Sequence, residues 1–148
     1  MAKLISIDGK DFIEIKFHRV ENMDGGYRWI VSNLHFGHNG IKIVNSIGTY
    51  FDVGEIQILI SDINNLLLEK ISEIKSSFLE PNLELKMTKI EKLEYKIDIL
   101  FREFIGYKSG IIKNSDESKK KMQFIANHTS LASFTKEFET ELQFLTET

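Results

Sequence analysis

His35 and His38 are the closest pair of residues in the chain that could share a metal. Spacing of three suits a shared ion on a helix, but Gly37, Asn39 and Gly40 surround His38 and put the pair across the end of a strand and a turn. The remaining histidines, His18 and His128, are distant in sequence, and there is no cysteine. Zinc sites show tighter ligand patterns than this. The pair therefore reads as one partly exposed strand histidine and one turn histidine, with no metal and no cofactor. The lack of cysteine also removes disulfides and thiolate nucleophiles, and it suits a reducing compartment.

The 22 carboxylates fall mostly at polar positions of alternating strands or on helix flanks, where a charge is simply solvated. No nucleophile elbow, phosphate-binding loop or dinucleotide fingerprint occurs, so no catalytic residue is assigned. Lys119, Lys120 and Lys121 follow Asp116 and Glu117, which cancel much of their charge, and such lysines commonly protect a sheet edge. Formal net charge is −3. Nucleic-acid binders carry a basic excess, and this chain has none overall.

Residues suited to gripping another protein are easier to find. The last helix carries Glu137, Glu139 and Glu141 beside its apolar stripe, and Phe144 falls off that stripe. Ile58 and Leu68 lie off the stripe of the first helix. Exposed aromatics and aliphatics among acidic groups can anchor a basic partner. Tyr27 and Trp29, two apart on one strand, are read as core residues instead.

The elements that must hold these residues follow from hydrophobic period. Leu4–Ile7, Phe12–Val20, Tyr27–Phe36 and Ile41–Ile47 read as a meander of strands separated by Asp-Gly and Gly-rich turns. In the second of them Ile13, Ile15 and Phe17 share one face. Asp52 and Glu55 make a capping-box signature, and Ile56, Leu59, Ile60, Ile63, Leu66 and Leu67 then recur at helical spacing. The helix is placed at about 53–70. Residues 71–78 fit either period; a short strand ending before Pro81 is favoured. Leu83 to Met87 and Leu93 to Phe101 alternate as antiparallel strands. The polar stretch 106–120 is expected to be a mobile loop. Met122–His128 reads as a final strand. Ser130 is placed as the cap of a helix over about 130–145, whose stripe is Leu131, Phe134, Phe138, Leu142 and Leu145. The order is ββββ-α-βββ-β-α. This predicts one α+β domain over 1–148, a largely antiparallel curved sheet with two packed helices.

This order resembles small bacterial immunity proteins of the wall-associated-protein (WapI-like) type. The resemblance lies in Tyr50-Phe51-Asp52-Val53 leading into the first helix, in Phe78-Leu79-Glu80-Pro81-Asn82-Leu83-Glu84-Leu85, and in Phe124-Ile125-Ala126 before Thr129-Ser130-Leu131 and the last helix. The stretch 106–120 and a longer central helix depart from the pattern. The resemblance implies a non-catalytic protein that binds and neutralises the nuclease domain of a polymorphic toxin. It carries over no binding-surface residue. The alternatives are a small-ligand protein or enzyme with a pocket between sheet and helix, and a homo-oligomeric module joined through Ile58, Leu68 or Phe144. The chain is expected to be soluble and cytoplasmic. It has no signal-peptide pattern, no apolar run long enough for a membrane span, and no expected nucleic-acid or membrane partner.

Overall fold

The computed structural model describes residues 1–22, 24–78, 82–104 and 117–147. Four strands come first: β1 (Ala2–Ile5), β2 (Asp11–Asn22), β3 (Arg28–His38) and β4 (Ile41–Asp52). Helix α1 (Val53–Leu67) leads into β5 (Glu73–Phe78), β6 (Asn82–Glu91), β7 (Glu94–Phe104) and β8 (Glu117–Asn127), and α2 (His128–Thr146) ends the fold. The α+β class and the order of elements are those expected.

The strands form two four-stranded antiparallel sheets, β1-β2-β3-β4 and β5-β6-β7-β8. The two sheets touch where the Ile7 amide donates to the Ile125 carbonyl at 2.8 Å, beside their β1 and β8 edges. The curved surface expected from the sequence is thus two meanders meeting at a seam. Period-2 alternation fixes the inner faces. Ile13, Ile15 and Phe17 of β2 point inward, as do Leu83, Leu85 and Met87 of β6 and Tyr95, Ile97, Ile99 and Phe101 of β7. Phe36 of β3 meets Phe101 of β7 edge-on, with centroids 5.9 Å apart. Phe51 of β4 meets Phe78 of β5 at 5.3 Å. The helices complete one shared core: α2 lies against β1, β2 and β8, and α1 against β3, β4, β5 and α2.

Helix ends follow their caps. Asp52 accepts from the amides of Gly54 (2.6 Å) and Glu55 (3.4 Å). At the other end Glu69 takes a positive φ of 62°, its amide reaches the Leu66 carbonyl, and the Lys70 amide reaches the Asn65 carbonyl. This is a Schellman closure with glutamate where glycine is usual. It stops α1 at Leu67, three residues before the expected end, and frees 73–78 to become β5. The start of α2 needs correction. Asn127 is its cap, accepting from the Ser130 amide at 2.8 Å. The Ser130 hydroxyl instead donates to the Ile5 carbonyl at 3.1 Å and ties the helix to β1. Of the expected loop 106–120, residues 106–116 lie outside the described residues, and 117–120 belong to β8.

Candidate functional site

The helical layer places the residues that sequence reading chose for partner contact. The buried stripe of α1 leaves Ile58 62% and Leu68 66% exposed, and α2 leaves Phe144 70% exposed. The helices run antiparallel. Gln57 and Ile60 share a cleft of about 280 Å³ with Leu142, Gln143 and Thr146, while Asn64 donates to Glu139 at 2.6 Å. Ile58 and Phe144 therefore lie at one end of the layer and Leu68 at the other. The three glutamates diverge. Glu137 is exposed. Glu139 is held between the helices by Asn64. Glu141 pairs with the amino-terminal ammonium, and its second oxygen is buried without a hydrogen-bond partner among the described residues.

Residues 53–70 and 128–147 together carry seven carboxylates against two lysines, a net charge of −5 where the whole chain carries −3. Negative charge is thus concentrated on the helices, and the strands and connections are net positive. Burial, with the Asp52 charge second, raises the Glu55 carboxyl above its ordinary range. The hydrogen bond from Lys89, reinforced by its charge, lowers the Glu69 carboxyl.

Beyond Leu68 the same end of the molecule exposes Ile71, Ile90 and Leu93. Glu69 links α1 to β6 through its ion pair with Lys89, and the Leu93 carbonyl accepts from the His128 amide at 2.8 Å. Leu93 sits at φ 72°, an uncommon conformation for a bulky side chain. These three residues escaped sequence reading, since period-2 counting places Leu93 on the inner face with Tyr95.

The two histidines singled out from the sequence have different ladder partners. His38 Nδ1 lies 2.5 Å from Asp11 Oδ1, directly across from it in the ladder, and Asn39 Nδ2 is 3.2 Å from its other ring nitrogen. His35 stands opposite Glu14 and Asn45 instead. Among the described residues no three His, Asp or Glu side chains are grouped as a metal site, and no helix is long and apolar enough to cross a membrane. Tyr95 is buried, its hydroxyl 3.2 Å from His128 Nδ1, and burial raises its pKa. Trp29 and Tyr27 depart from the expected core placement. Trp29 is half-buried on the outer face of β3, opposite Glu21, and Tyr27 is 59% exposed in the preceding turn.

A family model described as the WapI-like immunity protein family matches residues 3–145. The chain belongs to the WapI-like immunity protein family. The match runs from β1 into the last turn of α2, so both sheets and both helices of this WapI-like chain lie within the family unit. No curated protein matches the sequence.

A further cleft among the described residues of this WapI-like fold lies on the outer face of the second sheet. It measures about 560 Å³ and is lined by Lys75, Glu84, Lys86, Asp98, Leu100, Lys121 and Gln123, over the backbone of Leu85, Ile99 and Met122. Sequence reading placed Glu84, Lys86 and Asp98 at solvated positions of alternating strands, Lys121 in a lysine run that protects a sheet edge, and Lys75 in the ambiguous stretch 71–78. Register across four strands is what gathers them, and a single strand's pattern does not contain it.

Proposed function

We propose that this WapI-like protein is a non-catalytic immunity protein that neutralises a toxin domain by covering it with the helical layer. Membership of the immunity family carries the reading. The concentration of negative charge on α1 and α2 supports the choice of face. Excess carboxylates on one layer speed encounter with a basic partner, and complementary charge orients the approach. Ile58 and Phe144, both largely exposed at one end of the layer, supply apolar anchors, with Leu68 a third at the far end. Glu137 is the outward glutamate of the expected trio, while Glu139 and Glu141 brace the layer behind it. The protein acts in the cytoplasm and needs no cofactor for this task.

The test is growth rescue by this chain of cells expressing the toxin domain encoded beside its gene. Rescue is expected, with a stable complex on size-exclusion chromatography. Ile58→Asp combined with Phe144→Asp should abolish both while leaving the protein folded. Rescue without complex formation, or a toxin left covalently altered, would overturn occlusion.

A further inference from the structure

We infer that the cleft on the outer face of the second sheet binds an extended acidic segment of a protein. Two ladder rows build it. One runs Lys75, Lys86, Asp98, Gln123 across β5 to β8, and the other runs Ser77, Glu84, Leu100, Lys121. Lys75 and Lys86 stand directly opposite each other. Like charges so placed oppose sheet pairing.

The carboxylates in the cleft are already engaged. Gln123 donates to Asp98 at 2.5 Å, and Arg102 pairs with Glu84 at 3.3 Å. Two of the three ammonium groups are not. Among the described residues Lys86 pairs with Glu73 at 3.6 Å, while Lys75 and Lys121 have no hydrogen-bond or ionic partner. What the cleft offers a ligand is therefore cationic donors.

Their spacing selects an extended ligand. Lys75 on β5 and Lys121 on β8 are three strand gaps and one ladder row apart, about 16 Å at roughly 4.8 Å per gap and 3.4 Å per residue. An extended polypeptide advances about 3.3 Å per residue, so about five residues span that distance. A segment with carboxylates toward both ends meets the Lys75–Lys86 pair with one end and Lys121 with the other. The intervening backbone crosses the Leu100 side chain. A single small anion reaches only one end.

This site is separate from the helical face, and its test is independent of toxin rescue. Isotope-labelled protein is titrated with a hexaglutamate peptide and followed by amide shifts. Saturable, salt-sensitive binding is expected, with shifts centred on residues 75, 86 and 121. Lys75→Glu with Lys121→Glu should weaken it at least tenfold. Lys96→Glu, on the same face but outside the cleft, should change it less than threefold. Should charge reversal unfold the sheet, Lys75→Gln with Lys121→Gln carries the same comparison. Lack of saturation, shifts spread over other lysines, or equal weakening by Lys96→Glu would each overturn the site. Tripolyphosphate binding tenfold more tightly at the same amides would reassign it to phosphate and overturn the polypeptide ligand. Ile58→Asp with Phe144→Asp should leave the titration unchanged, so loss of toxin rescue and loss of peptide binding are read separately.

Discussion

The ring of Phe12 occupies the space that a β-carbon on Gly37 would need. The residues are direct partners across β2 and β3, and an ideal Cβ built on Gly37 falls 1.9 Å from Phe12 Cε1. Phe12 lies on the outer face of the first sheet and is still only 9% exposed. The bare glycine backbone beneath it and the Lys3 ammonium, 4.8 Å from its ring centroid, account for part of that cover. Glycine is thus required here by close approach. Gly37→Ala should cost about 1–3 kcal/mol by overpacking. In a Phe12→Ala background the same change should be neutral or stabilising by about 0.5 kcal/mol, because alanine suits a strand better than glycine. Urea denaturation of the four proteins in this cycle measures the coupling. An equal cost in both backgrounds would show that the ring is not the obstacle.

Leu93 gives the opposite prediction. Its φ of 72° is unfavourable for any residue with a side chain, and its side chain is 54% exposed. A left-handed backbone costs a non-glycine residue roughly 1–2 kcal/mol. Leu93→Gly should therefore raise stability by about 1 kcal/mol, offset in part by the greater freedom of glycine in the unfolded chain. The carbonyl that accepts from His128 is retained. A lower melting temperature would mean that the leucine side chain stabilises the hairpin end more than its backbone strains it.

These two residues also show what was legible in the sequence. Ile13, Ile15 and Phe17 alternate, Ile56 to Leu66 repeat every three to four residues, and Phe134 and Phe138 share a stripe. Local period alone reports those faces, and the structure buries them. The partner of Gly37 depends on ladder register, and the strain at Leu93 depends on hairpin geometry. Neither leaves a mark in one strand's pattern. The cap of α2 shows the same limit. Asn127 and Ser130 are both good caps, and Ser130 is drawn away by Ile5, 125 residues earlier in the chain. The helical-face residues were legible because departure from an apolar stripe is local. The lysine cleft was not, because it exists only once four strands are aligned.

Phe138 and Phe144, six residues apart on α2, should separate folding from binding. Phe138 is fully buried, with its ring centroid 5.2 Å from that of Phe17 and 4.9 Å from that of Phe134. Phe138→Ala should cost about 3–5 kcal/mol through lost burial and an unfilled cavity. Phe144→Ala should cost far less than Phe138→Ala, because its side chain is 70% exposed. Thermal and chemical denaturation compare them directly. Comparable losses would make Phe144 part of the fold and remove it as an anchor.

Glu55 should make stability depend on pH in a direction unusual for a carboxylate. Its carboxyl is raised, first by burial and then by the Asp52 charge beside it. A carboxyl with a folded pKa above its unfolded value holds its proton more readily in the native state. The stability it adds is fully present below the unfolded value and is lost as pH rises through the folded one. Glu55→Gln copies the protonated side chain at every pH. The variant should be more stable than the parent at neutral pH, and the gap should close as pH falls through the carboxylate range. Asp52→Asn keeps a capping oxygen for the Gly54 amide while removing the neighbouring charge. In that background the advantage of Glu55→Gln should shrink, leaving the part due to burial. Melting temperatures of the four proteins across the acidic range decide the matter. A gap that widens on acidification would show that the Glu55 charge stabilises the first turn of α1, as a helix dipole alone would have it.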